Sequence, residues 1–201
     1  MSARRTGRRP GKPATRDAIL AAARDAFAER GFDGTSIRGV AAAAKVDPAL
    51  VHHYFGTKND LFLAAIEAPV DPRELTPAIL EGGPDELGAR LVHAMLTVWG
   101  GPESGPRVAA ILRSALHHEP SARLLREFVT TQILRPVTTG LDLPSGEASF
   151  RAGLVASQLV GLALARYVLR LEPLASASPE AVEAAIGPTL QRYLTGPLEL
   201  V

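Results

Sequence analysis

The sequence predicts an all-α protein, with an N-terminal three-helix helix-turn-helix domain ahead of a C-terminal helical bundle. Three observations predict it. Apolar residues recur at i, i+3 and i+4 along most of the 201 residues. Residues that start and stop helices bracket those stretches. No stretch combines strict alternation with β-branched side chains, so no sheet is expected.

Residues 1–14 mix Arg, Gly and Pro with almost nothing apolar and read as a flexible basic arm. Helical periodicity starts after Thr15, with Ile19, Ala22, Ala23, Ala26 and Phe27 as the buried stripe. Thr15 serves as a cap, Asp17 places negative charge in the first turn, and Gly31 is a left-handed stop with Phe32 folding back. Thr35 or Ser36 caps a second helix, whose inward face is Ile37, Val40, Ala41 and Ala44. A tight turn at Lys45-Val46 leads to a third, with Asp47 as N-cap and Pro48 at the first helical position, where its missing N–H costs nothing. Thr57 opens a fourth, with Asp60 at the reciprocal capping position and Leu61, Phe62, Ala65 and Ile66 facing inward.

Pro69, Pro72, Pro77 and Pro84, with Gly82-Gly83, mark residues 69–84 as a connector, so the first domain covers 15–68 and the second 85–201. In the second, helices are expected at about 85–99, 104–117, 120–139, 146–171 and 178–194, separated by Gly100-Gly101-Pro102, Glu119-Pro120, Pro144-Ser145-Gly146 and Pro173.

The 22 Lys and Arg nearly balance the 21 Asp and Glu, but their distribution is uneven. Residues 1–68 hold 11 basic and 7 acidic side chains; the remainder holds 11 and 14. Arg4, Arg5, Arg8, Arg9, Lys12 and Arg16 precede the first acid. A basic front on a mildly acidic body suits a polyanion partner. The absence of cysteine excludes disulfides, Cys-ligated zinc, iron–sulfur clusters and thiol catalysis. No apolar run approaches the ~18–20 residues of a membrane span, and no apolar stretch follows the basic N-terminus. A cytoplasmic protein with no membrane partner is expected.

Thr35–Lys58 has the dimensions of a helix-turn-helix. Val51 and Phe55 lie one turn apart and anchor its second helix inward. Ala49 and His53 then sit nearly opposite, flanked by Leu50 and His52, with Tyr54 at the edge. Histidine can donate or accept at base edges, Ala and Leu can touch a thymine methyl, and Tyr can bond a phosphate. Lys58 stands in the first turn of the fourth helix, where the macrodipole disfavours a cation. With the Thr57 hydroxyl and free N–H groups it would form a phosphate seat. The start of the Thr35/Ser36 helix would form another, with Arg38 nearby.

Thr35-Ser36-Ile37-Arg38, Val40-Ala41, the run Val46 to Lys58 and Leu61 together resemble the DNA-binding motif of TetR/AcrR-type transcriptional regulators. Ile19-Leu20, Ala22-Ala23, Phe27, Gly31-Phe32 and Gly34 are similar to that family's first helix. The resemblance covers roughly residues 15–68. Lys45 stands where the family usually has Gly, and His52 where it usually has Tyr. The resemblance implies double-stranded DNA as partner, a palindromic operator and a C-terminal domain for dimerisation and ligand binding. It also implies a repressor released by a small-molecule effector. Phosphate anchoring would fall to Thr35, Ser36, Tyr54, Lys58, Arg38 and Lys45. Base readout would fall to Ala49, His52 and His53, with Pro48 and Leu50 on apolar edges. The alternatives are a helical protein-interaction module, or an activator without small-molecule control.

Gly153, Ser157, Gly161 and Ala165 recur every four residues on one helix face, a spacing that lets two backbones approach closely. They are the expected homodimer interface. Met95, Trp99, Arg113, His117 and Gln158 are the candidates for contact with an effector. His117-His118-Glu119 does not make a metal site, because adjacent helical residues point about 100° apart. No nucleotide-binding, zinc-protease or serine-hydrolase signature occurs. No enzyme activity, catalytic residue, cofactor or metal is expected.

Overall fold

A computed structural model describes residues 12–141, 143 and 146–198. All regular structure among them is helical, and the chain divides into two compact units, Met1–Glu67 and Ala68–Val201.

Among its described residues the first unit holds four helices: α1 (Lys12–Arg30), α2 (Ile37–Ala43), α3 (Pro48–Phe55) and α4 (Lys58–Ile66). The basic arm was expected to run to residue 14, but α1 begins at Lys12, with Pro13 in its first turn, where proline is tolerated. Arg4, Arg5, Arg8 and Arg9 lie outside the described residues. Ile19, Leu20, Ala23, Ala26 and Phe27 form the buried face of α1. Gly31 ends it at φ 70, and its N–H donates to the Phe27 carbonyl. Phe27, Phe32 and Phe62 pack as an aromatic trio, with Phe27 and Phe62 edge to face at 4.8 Å. Gly34 is required sterically: a Cβ there would lie 2.4 Å from the Arg30 carbonyl oxygen. At the end of α4, Arg24 ties α1 to the Ala65 carbonyl and to Glu67.

The second unit contains α5 (Pro72–Leu80), α6 (Leu87–Gly100), α7 (Ser104–His117), α8 (Glu119–Phe128), α9 (Arg135–Thr139), α10 (Glu147–Ala163) and α11 (Pro179–Thr195). Two stretches depart from the expected continuous helices. Val129–Leu134 joins α8 to α9 as a π-helical turn, and Leu164–Val168 extends α10 as another. The connector expected over 69–84 contains α5. Asp71 caps it through the Arg73 N–H, Pro72 takes the first position, and Ile79 is buried.

The core of this unit gathers Leu87, Leu91, Val92 and Leu96 of α6, Val155 and Leu162 of α10, and Val182, Leu190 and Leu194 of α11. Helices α6 and α11 meet at two glycines. A Cβ on Gly88 would fall 2.3 Å from the Gly187 carbonyl oxygen. Gln191 seals the crossing by accepting from the Gly88 N–H and donating to the Pro84 carbonyl.

Helix α10 with its π extension reaches 22 residues, Glu147–Val168. By length and composition it could cross a membrane, which corrects the expectation that no apolar run is long enough. Its two arginines turn into the protein instead. Arg151 pairs with Glu147 and donates to the carbonyls of Tyr193 and Gly196. Arg166 donates to the carbonyls of Leu174 and Ala177.

Candidate nucleic-acid interface

Helix α3 is held from both ends. The Asp47 carboxylate accepts the Ala49 N–H at 2.8 Å, and Pro48 takes the first helical position. Gly56 terminates it at φ 76. Val51 and Phe55 are buried, as the helical phase requires, and Ala49, Leu50, His52 and His53 are exposed. Pro48 and Tyr54 are half-buried at the edges. The face turned to solvent therefore carries two imidazoles between small and apolar groups, with no acid after the Asp47 cap.

The two rings are held differently. Nδ1 of His52 lies 2.8 Å from the Gly56 carbonyl oxygen. His53 packs edge to face against Tyr54, with centroids 5.4 Å apart.

Around α3 the outcome is mixed. Ser36 caps α2 by accepting the Gly39 N–H, which leaves its own O–H as a donor, and Arg38 is exposed. Lys45 sits in the turn at φ 57, a left-handed conformation in which a Cβ is strained, and its side chain is exposed. Thr35 is a correction. It is buried, and its hydroxyl donates within reach of the Ala26 and Gly31 carbonyls, at 3.0 and 2.8 Å. It ties the α1–α2 loop and cannot offer that hydroxyl to a phosphate.

The seat expected at the start of α4 is also changed. The Thr57 hydroxyl and N–H both donate to the Asp60 carboxylate, and the Asp60 N–H returns to Thr57, completing a capping box. An incoming phosphate would meet that carboxylate. Lys58 lies with its ammonium 4.5 Å from the centre of the Phe32 ring. One cation outside the residues that the sequence points to stands beside α3. Arg16, on α1, lies over the Phe55 ring at 5.3 Å, beside the last turn of α3. Arg16 and Phe55 are far apart in the chain, so no local pattern signals that contact.

In the second unit, Trp99 stacks on Tyr167 at 5.3 Å, and Met95 is partly buried against the core. Gln158 is half-buried. Arg113 and His117 are corrections: both are exposed, and His117 bonds back to the Arg113 carbonyl. They face solvent, because α7 is a two-sided helix whose inward side is Gly105, Ala109 and Leu112. A cavity of about 480 Å³ lies elsewhere, between the start of α6 and α11. It is lined by Asp85, Glu86, Glu180 and Glu183 over Ala184 and Pro188. The Glu180 carboxyl is held below the usual carboxylate value by its own backbone N–H, then by the Ser178 hydroxyl. On α10, Gly153, Ser157 and Gly161 are exposed, and Ala165, in its π extension, is half-buried. A Cβ built on either glycine meets nothing within 4 Å.

Fold and site together define a helix-turn-helix protein with a second, all-helical unit. The model described as "Bacterial regulatory proteins, tetR family" matches residues 19–65. The model described as "Tetracyclin repressor-like, C-terminal domain" matches residues 85–194. The chain belongs to the TetR family.

The crystal structure of a TetR-family regulator (SCO0857) from Streptomyces coelicolor A3 superposes with a TM-score of 0.51 at 47% identity, over 94% of this chain and 99% of that one. HTH-type transcriptional repressor Rv3405c of Mycobacterium tuberculosis is 41% identical over 92 residues, 39% of this chain and 45% of its own. HTH-type transcriptional repressor NicS of Pseudomonas putida is 38% identical over 68 residues, 33% of this chain and 32% of its own. The chain thus spans about half or less of the length of these two curated relatives.

Proposed function

We propose that the protein is a sequence-specific DNA-binding transcriptional regulator, acting as a homodimeric repressor that a small molecule releases from a palindromic operator. One observation carries the reading: α3 buries Val51 and Phe55 while exposing Ala49, Leu50, His52 and His53. That face fits a major groove, where hydrogen-bonding rings and small apolar groups read base edges. Ser36, Arg38, Lys45, Tyr54 and Lys58 anchor it to phosphates, and Arg16 joins them at the far end of α3.

The homodimer is supported by the bare face of α10. Gly153, Ser157 and Gly161 lie on it beside Phe150, 52% exposed, and Val160, 40% exposed. Two such faces can approach closely and cover apolar area. A two-fold pairing sets two recognition helices about one DNA turn, ~34–36 Å, apart. The effector lodges in the second unit beside Met95, Trp99 and Gln158. It acts by binding one arrangement of the dimer better than another, a coupling of typically 1–3 kcal/mol.

Selection of bound duplexes from a random pool tests the reading. A palindromic consensus is expected, with affinity that falls steeply as salt rises. Binding without sequence preference, or none at all, overturns it.

A further inference from the structure

The bond between His52 and Gly56 has a consequence for which bases α3 can read. A carbonyl oxygen only accepts, so the Gly56 carbonyl, 2.8 Å from Nδ1, requires the proton to sit on that nitrogen. This holds for the neutral and the charged ring alike. In the neutral ring, Nε2 is then a bare acceptor. His52 is exposed on the same face as Ala49 and His53, with Nδ1 already committed, so Nε2 is the nitrogen it has to offer. A tautomer free to exchange could present a donor or an acceptor at the same place; this ring presents one.

The major-groove edges divide on this property. Adenine and cytosine carry an exocyclic amino group that donates, at N6 and N4. Guanine offers only the O6 and N7 acceptors, and thymine only O4 beside its methyl. An acceptor aimed at these edges bonds adenine or cytosine, and meets lone pair against lone pair at guanine or thymine.

We infer that His52 is a reader of base class: it selects adenine or cytosine at one position of each half-site and rejects guanine and thymine there. The inference rests on the DNA-binding reading above and deepens it. Gly56 is the positioning partner, because its carbonyl holds the proton on Nδ1 and so decides which chemistry the ring shows. A hydroxyl side chain, which both donates and accepts, would make no such distinction.

The test is selection from a random duplex pool with the full chain at pH 8, where imidazole in water is neutral. Wild type is compared with His52→Ala and His52→Arg. On the strand that His52 faces, wild type is expected to favour adenine or cytosine over guanine and thymine at one position by about fivefold or more, and to lose that margin when the exocyclic amino group of the selected base is removed. His52→Ala flattens that position and leaves the rest of the consensus intact. His52→Arg, which only donates, moves the preference there to guanine.

Wild-type affinity that is unchanged when the selected adenine or cytosine at the position that His52→Ala flattens is replaced by purine or 2-pyrimidinone, which lack the exocyclic amino group, overturns the inference. So does a consensus that His52→Ala leaves unchanged at every position. Either result leaves the DNA-binding reading standing. If wild type selects no sequence at all, both fall together. His52 is exposed, so the variants are expected to fold, and circular dichroism of each alongside the selection keeps a folding defect from passing as lost preference.

Discussion

The ammonium of Lys58 lies 4.5 Å from the centre of the Phe32 ring. A cation in the first turn of a helix opposes the macrodipole, and the aromatic face gives it a compensating partner within the first unit. Lys58 therefore has a structural role before it meets any DNA. Replacing it with Ala is expected to lower stability by about 0.5–1 kcal/mol, measured by chemical denaturation. If the side chain also reaches a phosphate, the same variant flattens the slope of log affinity against log salt by about one unit. An unchanged slope assigns Lys58 to Phe32 alone.

Thr35 makes the opposite case. Its hydroxyl is buried against the Ala26 and Gly31 carbonyls. Thr35→Val keeps the shape and deletes the donor, so it should destabilise the protein by about 1–3 kcal/mol. Thermal unfolding reads that loss. Affinity for DNA, corrected for the folded fraction, should stay at the wild-type value; a drop in the corrected affinity would restore Thr35 to the interface.

Lys45 holds a left-handed turn between α2 and α3 at φ 57. Glycine adopts that conformation without the Cβ penalty of roughly 1–2 kcal/mol, though it loses more chain entropy on folding. Lys45→Gly is expected to raise stability by about 0.5–1 kcal/mol. The same change should weaken binding to all duplexes alike, through the lost cation. A stability loss would show that the lysine stem packs against the turn.

On α10, a Cβ at Gly161 would meet nothing within 4 Å of its own chain. Gly161→Leu should leave the folded monomer intact while holding two paired helices apart. Analytical ultracentrifugation is expected to show a smaller dimer fraction. A profile like that of wild type would move the interface to another face.

The helix-turn-helix was legible because its signals are local. Asp47-Pro48 names the start of α3, and the spacing of Val51 and Phe55 sets its inward face. Other features had no local signature. Thr35 and Ser36 are both good caps, and only the loop geometry decides that Ser36 caps while Thr35 is buried. Pro72 and Pro77 look like breakers, yet the first suits a helix start and the second is carried inside a helix whose Ile79 is buried. Arg113 and His117 share a helix with a buried side, and their exposure depends on which neighbours that side meets. The π turns at Val129–Leu134 and Leu164–Val168 leave no periodicity that residue types alone reveal. The lock on the His52 ring depends on the path of the chain at Gly56, which the order of residues does not encode in any familiar pattern.

The glycine crossing of α6 and α11 fixes the register of the two helices in the second unit. With no room for a Cβ on Gly88, the two helices cannot slip by a residue without steric collision. Gly88→Ala should therefore destabilise by about 1–3 kcal/mol, read by denaturation. The pair travels as a single stiff strut. Any change in their relative placement is therefore confined to a tilt of the two together.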